Sequence, residues 1–111
     1  MILLLLAAGR GSRLKGYTEN INKCLLLVND FPIIHYSLKI AERLPITKVI
    51  IVVGYQAKKV IEYINSHTWP FSIEFVYQNE QRGIVHAMQI AFPLINEDIL
   101  LNLGDEILIK R

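Results

Sequence analysis

Short apolar runs alternate along the chain with segments whose apolar residues are spaced as on one face of a helix. Four runs are rich in Ile, Leu and Val: residues 2–6, 48–53, 73–77 and 99–103. None of them alternates cleanly between apolar and polar residues. Continuous hydrophobicity over about five residues is typical of parallel strands that helices cover on both faces. The pattern therefore predicts four buried parallel strands.

Helical spacing marks the segments between these runs. Ile34, Leu38 and Ala41 share a face after Pro32, and proline suits a first helical turn because it has no N–H to lose there. Two further helical stripes follow: Ala57, Val60, Ile61 and Ile64, and then Ile84, Ala87, Met88, Ala91 and Phe92. The alternation of strands and helices predicts an α/β fold with a Rossmann-like, open, mostly parallel sheet in three α/β/α layers. We expect the predicted strands to lie in the order third, second, first, fourth.

The first connection is much longer than a usual βα loop of about 2–6 residues. Residues 9–31 separate the first predicted strand from its helix. The middle of this segment, residues 24–28, reads CLLLV and is too apolar for a free loop. It predicts a short strand or a segment packed across the domain. We therefore expect an ordered, functional loop.

Composition and charge narrow the classes of partner. The 111 residues carry 12 Lys or Arg and 10 Asp or Glu, a net charge of +2 that is spread along the chain. Neither nucleic acid nor a membrane is therefore expected as a partner. The length allows one domain or part of one. The single cysteine, Cys24, rules out an intrachain disulfide and is expected to be a packed structural residue in a cytoplasmic chain.

The residues that follow the predicted strands carry the candidate chemistry, because ligands of open α/β sheets collect beyond the carboxyl ends of the strands. Gly9 and Gly11 would let backbone N–H groups approach an anion, and Arg13 adds a guanidinium group. A tight turn without a ligand is the alternative for this loop. The G-x-G-x-x-G and Walker patterns both fail, because Leu14 and Tyr17 occupy the third-glycine and lysine positions.

Asp105 follows the fourth apolar run directly after Gly104. A carboxylate at the end of a buried strand, beside a phosphate loop, can hold Mg²⁺, which prefers hard oxygen ligands and phosphate oxygens. An incidental surface carboxylate is the alternative. We expect Asp105 to hold the metal and to face the loop that begins at Gly9 across a crevice between the first and fourth predicted strands.

Taken together, these motifs resemble those of the sugar-1-phosphate nucleotidyltransferases. Residues 5–14, LLAAGRGSRL, resemble the opening signature L-A-A-G-x-G-x-R-L, and Thr18 and Lys23 stand where the family has a threonine and the lysine of a P-K pair. Residues 78–83, QNEQRG, resemble the base-reading segment of the glucose-1-phosphate thymidylyl- and uridylyltransferases, and residues 103–105, LGD, resemble the G-D metal motif. The chain departs from the family pattern at Asn22, where the family has proline.

The resemblance implies transfer of a nucleotidyl group from UTP or dTTP to a sugar 1-phosphate, which yields an NDP-sugar and pyrophosphate with Mg²⁺ as cofactor. It implies that Arg13 and Lys23 are the catalytic groups, that Gln78 reads the base, and that Asp105 is the metal ligand. The nucleotide-binding residues that it implies are Leu6, Ala8, Gly9, Gly11, Ser12, Gln78, Gly83 and Asp105. Residues 1–111 are then the N-terminal nucleotide-binding part of a nucleotidyltransferase domain.

Members of this family are much longer than this chain, so the chain by itself is not expected to complete the reaction. One alternative is a nucleotide-binding or regulatory module without turnover. Another is a truncated piece of the enzyme, whose open apolar sheet edge would favour self-association into homo-oligomers. His35 and His67 have no carboxylate at triad-like spacing, and His86 falls in the first turn of the third predicted helix, so none of the three is given a part in catalysis.

Overall fold

The computed structural model describes residues 1–8, 22–78, 83–95 and 97–103. The elements in chain order are β1 (Ile2–Ala7), β2 (Leu27–Val28), β3 (Phe31–Pro32), α1 (Ile33–Ala41), β4 (Lys48–Val53), α2 (Ala57–Asn65), β5 (Ser72–Tyr77), α3 (Gly83–Ala91) and β6 (Ile99–Leu103). Short 3-10 helices span Lys23–Leu25 and Phe92–Leu94.

The main sheet contains β5, β4, β1 and β6 in that order, and every neighbouring pair is parallel. This is the predicted strand order. The predicted bounds are also correct to within one residue, since β1 extends to Ala7 and β5 begins at Ser72. The register pairs Ala7 with Val53 and Val53 with Tyr77, so the three strands end level with one another.

Helices cover both faces of this sheet. Leu3 and Leu5 of β1 belong to a buried cluster that includes the apolar faces of α1 and α2. Leu4 belongs to a second cluster, which includes Ala87 and Ala91 of α3. The three predicted layers are confirmed. Among the described residues, no helix is both long enough and apolar enough to cross a membrane.

Two details of the predicted core are wrong. Every residue of the central strands is buried except Leu6 and Lys48, which are half-buried. In contrast, β5 exposes Ser72, Glu74 and Tyr77, and Leu101 of β6 is 39% exposed. Both strands lie at the edges of the described sheet, where helices cover them less completely. Phe92 does not extend the buried stripe of α3, because the helix ends before Pro93 and Phe92 is 53% exposed in the 3-10 helix that follows.

The described part of the long connection is ordered and contains short strands, as predicted. β2 and β3 pair as an antiparallel hairpin. Its turn residues Asn29 and Asp30 have φ angles of 49° and 72°, the positive values that a type I′ turn needs. Cys24 is only 1% exposed, which confirms a packed cysteine, whereas Leu27 is 70% exposed and does not join the core.

Asn22 attaches this connection to the ends of two central strands. Its side chain is buried, and Nδ2 donates to the carbonyl oxygen of Ala7 and, at 3.0 Å, to that of Tyr55. Oδ1 accepts from the backbone N–H of Cys24 at 3.1 Å, and the backbone N–H of Asn22 donates to Oε1 of Gln56 at 2.9 Å. Because both donors and the acceptor of the side-chain amide are engaged, a shift of this segment would leave buried polar atoms unpaired.

Gly54 allows the ends of β1, β4 and β5 to approach one another closely. A Cβ atom at this position would lie 2.9 Å from the carbonyl oxygen of Gln78 and 3.0 Å from Cβ of Ala8. Backbone hydrogen bonds hold these ends together: Tyr55 donates to Ala8 at 3.1 Å, and Gln78 donates to Val53 at 2.8 Å. The close approach therefore requires glycine at position 54.

We expect Asn22→Ala to lower the free energy of unfolding by about 2–4 kcal/mol, because several buried polar atoms lose their partners at about 1–3 kcal/mol each. Urea unfolding followed by circular dichroism measures the change. The matched control is Asn65→Ala, at the exposed last residue of α2, which should change stability by no more than about 0.5 kcal/mol. Equal unfolding midpoints for the two variants would contradict the anchoring role of Asn22.

We expect Gly54→Ala to lower the free energy of unfolding by about 1–3 kcal/mol, since a new methyl group is forced against atoms that cannot rotate away. In a double-variant cycle with Ala8→Gly, part of the loss should be recovered, because this second change removes one of the close contacts. A Gly54→Ala protein as stable as the parent would show that the strand ends can separate freely.

Candidate functional site

The carboxyl ends of the parallel strands form one edge of the sheet, which we call the carboxyl edge. It is defined by Ala8 after β1, Gly54 after β4, Gln78 after β5 and the end of β6 at Leu103. The register pairs Leu6 with Leu103, so β6 reaches this edge beside β1. Residues far apart in the sequence are thereby brought to one rim, where open α/β sheets bind ligands.

The structure describes only part of the predicted site. Leu6 is half-buried near the end of β1, and Ala8 is buried just beyond it. Lys23 begins the 3-10 helix, Gln78 follows β5, and Gly83 is the first residue of α3. The other predicted site residues lie outside the described residues: Gly9, Gly11, Ser12, Arg13 and Asp105.

Lys23 owes its backbone position to its two neighbours. On one side, the side chain of Asn22 donates hydrogen bonds to β1 and to the loop after β4. Its Oδ1 also accepts from the backbone N–H of Cys24, on the other side of Lys23. Cys24 is itself buried in the cluster beneath α1. The chain is therefore held on both sides of Lys23, beside the end of β1.

Gln78 is buried at the carboxyl edge, with 6% of its surface exposed. Its backbone N–H donates to Val53 at 2.8 Å, which extends the ladder between β4 and β5 by one bond. Its side-chain Nε2 lies 3.0 Å from Nδ1 of His86 on α3. The side chain of Gln78 therefore joins the end of β5 to α3.

Sequence reasoning did not find several residues that organise this edge. In the sequence, Asn22 stands out only as a departure from the family pattern, and Gly54 belongs to no motif. Gln56 received no role, although it accepts from the backbone of Asn22 and has a positive φ of 56° at the start of α2. His86 was left out, although a histidine one helical turn after a helix-opening glycine was a signal that it faces the preceding strand end.

The shifted pKa values that the structure resolves belong to the packing of α1 against α2. Burial lowers the pKa of His35, and the nearby His67 lowers it further. Burial also raises the pKa of Tyr63, whose hydroxyl lies 2.8 Å from Nδ1 of His35. These two groups stack or pack in an aromatic cluster with Trp69, which precedes β5. Their shifts are explained by helix packing and need no ligand.

Among the described residues, no group of three or more His, Cys, Asp and Glu side chains comes together in a way that could hold a metal ion. Asp105 is two residues beyond the end of β6, the strand that pairs with β1 at the carboxyl edge. A carboxylate there fits the hard-oxygen preference of Mg²⁺.

Comparison with known proteins matches residues 2–111 to the family model for nucleotidyl transferases. The UTP–glucose-1-phosphate uridylyltransferase AglF of Haloferax volcanii is 34% identical to this chain over 107 residues, which are 96% of the chain and 44% of AglF. The crystal structure of HddC from Yersinia pseudotuberculosis, complexed with GMP-PN, has a TM-score of 0.84 at 23% identity and is similar over 94% of this chain and 47% of HddC.

A putative glucose-1-phosphate thymidylyltransferase from Bacillus anthracis, solved in complex with a sucrose, has a TM-score of 0.80 at 28% identity, over 95% of this chain and 44% of that protein. This chain therefore spans less than half the length of each of these three proteins. The structural agreement confirms the predicted fold class, a partial α/β fold of the nucleotide-diphospho-sugar transferase type. Because the family model extends over nearly every residue, the chain belongs to the nucleotidyl transferase family.

Proposed function

We propose that this chain is the nucleotide-binding part of a sugar-1-phosphate nucleotidyltransferase. The whole enzyme would transfer a nucleotidyl group from UTP or dTTP to a sugar 1-phosphate and release pyrophosphate. The observation that carries the proposal is the arrangement at the carboxyl edge. The Lys23 segment is anchored to the end of β1, and the buried amide of Gln78 follows β5. Strand β4 lies between β1 and β5 and pairs with both. One end of a nucleotide would meet the cationic segment and the other would meet the amide.

Phosphate binding would fall to the loop after β1 together with Lys23. Backbone N–H groups from Gly9 to Ser12 would surround phosphate oxygens, and Arg13 and Lys23 would neutralise the charge that develops during transfer. The attacking group is an oxygen of the sugar phosphate, so the protein need not supply a nucleophile. Catalysis then reduces to alignment and charge stabilisation, which suits a lysine held by its neighbours.

Asp105 would hold the magnesium ion at the end of β6. The register that brings Leu103 beside Leu6 supports this assignment, because the two chain segments leave neighbouring strands at the same edge. Mg²⁺, when bound, would supply positive charge to the phosphate oxygens. The contribution of this chain would be the carboxylate ligand and the rigid strand that carries it.

Base recognition would fall to Gln78 and Gly83. The amide of Gln78 offers both a donor and an acceptor, which match the N3–H and a carbonyl of uracil or thymine. Gly83 opens α3 without a side chain, so the base edge could approach the helix closely. Leu6 and Ala8 would provide apolar contacts from the end of β1. Uracil or thymine is favoured by the names of AglF and of the Bacillus anthracis protein.

A nucleotide-binding module without turnover is the second candidate, and one assay distinguishes it. The chain is mixed with UTP or dTTP, glucose 1-phosphate and Mg²⁺, and thermal unfolding and pyrophosphate release are both measured. We expect nucleotide to raise the unfolding temperature by mass action. Pyrophosphate that appears only when both substrates are present would contradict the module. Stabilisation without pyrophosphate fits the module and equally a part of the enzyme that cannot turn over alone, and the absence of both effects would contradict both candidates.

We expect Lys23→Ala to weaken UTP binding by roughly 10- to 100-fold, because a hydrogen bond to a charged group contributes about 1.5–3 kcal/mol. Isothermal titration calorimetry measures the affinity. Lys39→Ala is the matched control, since Lys39 is an exposed residue of α1 paired with Glu42 across one helical turn. Unchanged affinity in Lys23→Ala would remove Lys23 from the site.

We expect Asp105→Asn to weaken UTP binding only when Mg²⁺ is present, as measured by the same titration.

A further inference from the structure

Gln56 joins the loop after β4 to the residue that precedes Lys23. Oε1 of Gln56 accepts a hydrogen bond from the backbone N–H of Asn22 at 2.9 Å. A backbone N–H can only donate, so the side-chain amide of Gln56 must present its oxygen at this contact. The bond connects two segments that are 34 residues apart in the sequence.

The backbone of Gln56 has an unusual conformation for its residue type. Its φ of 56° and ψ of 37° are left-handed, at the position that precedes the first turn of α2. Glycine, asparagine and aspartate adopt this conformation most readily, and the other described non-glycine residues with positive φ are Asn29 and Asp30. A glutamine in this conformation carries a cost in free energy, which the surrounding contacts must offset.

The side chain of Gln56 does not cap α2. A residue that precedes a helix commonly uses its side chain to accept from a backbone N–H of the first turn. Gln56 makes no such bond with its side chain, although its carbonyl oxygen accepts from Lys59 at 3.0 Å and from Val60 at 3.3 Å. The helix therefore begins from the backbone of Gln56, while the side-chain oxygen bonds to Asn22.

The bond from Gln56 adds a second kind of attachment to Asn22. The side chain of Asn22 donates to the carbonyl oxygens of Ala7 and Tyr55, and these bonds alone would allow its backbone to turn about the side chain. The bond to Oε1 of Gln56 holds the backbone N–H itself. Because the side chain and the backbone of Asn22 are both held, the direction in which the chain continues to Lys23 is restricted.

We infer that Gln56 is a positioning residue for Lys23, which it places for phosphate binding by holding the backbone of Asn22. This inference rests on the proposed function, in which Lys23 binds phosphate groups of the nucleotide. Gln56 acts through the backbone and does not itself bind the nucleotide. Its contribution to nucleotide affinity therefore passes through Lys23 and disappears when the lysine side chain is removed.

The test is a double-variant cycle in which isothermal titration calorimetry measures UTP affinity in the presence of Mg²⁺. Gln56→Met keeps the length of the side chain but removes the acceptor. We expect it to raise the dissociation constant by roughly three- to tenfold, the size of one net hydrogen bond. In a Lys23→Ala chain, the same change should have no further effect. Gln89→Met, at an exposed glutamine of α3, is the matched control and should leave the affinity unchanged.

Gln56→Glu tests whether the acceptor oxygen is the important group. Glutamate keeps an oxygen at the same point of the side chain, so this variant should retain most of the affinity that Gln56→Met loses. The titrations are made at about 0.15 M salt, where the added charge is screened beyond about 8 Å. Circular dichroism checks that each variant is folded at the titration temperature. If Gln56→Met does not fold, Gln56→Gly removes the same acceptor and suits the left-handed backbone.

The outcomes separate this inference from the proposed function. If Lys23→Ala weakens UTP binding but Gln56→Met does not, or if Gln56→Met weakens it equally with and without Lys23, the role of Gln56 is wrong and the proposed function stands. Equal losses in Gln56→Met and Gln56→Glu lead to the same conclusion. If Lys23→Ala leaves the affinity unchanged, phosphate binding by Lys23 is wrong and the inference falls with it. If the parent chain does not bind UTP, both proposals fall.

Discussion

The parallel pairing of β1 with β4 on one side and with β6 on the other is the constraint on which the remaining structure depends. The central strands are buried, so their backbone groups must be hydrogen-bonded to neighbouring strands, and a slip in register would leave such groups unpaired. Because all the main strands run in the same direction, their carboxyl ends coincide. Ala8, Gly54 and Gln78 become neighbours for this reason, and not through any local preference.

The contacts at the carboxyl edge are made largely with backbone atoms. Gly54 brings the backbone of Gln78 close, and Asn22 donates to two carbonyl oxygens. In the family resemblance, the residue before the lysine is proline, which restricts the chain through its ring. Asn22 restricts the chain in another way, by hydrogen bonds from its side chain to separate segments. Both arrangements restrict the backbone next to Lys23, but the arrangement with Asn22 works only when β1 and β4 are in place.

This dependence links stability to the proposed chemistry. Nucleotidyl transfer to an existing phosphate oxygen needs alignment and charge neutralisation more than it needs a reactive side chain. Buried hydrogen bonds hold the segment before Lys23 and the strand end that carries Gln78, so a packing defect there would displace both residues. Gln78 is also joined to α3, since its Nε2 lies 3.0 Å from Nδ1 of His86.

The sequence by itself determined the four main strands, their order, the three-layer fold and the family. The fold could be predicted because buried strands and helices show a periodic pattern of apolar residues. The family could be predicted because its motif residues lie close together in short segments. Only the tertiary structure decided the contacts of Asn22, Gly54 and His86, and the exposure of β5 and Phe92. A hydrogen bond or a close approach between distant segments leaves no periodic signal, because its partners are chosen by strand order and register rather than by neighbouring residues.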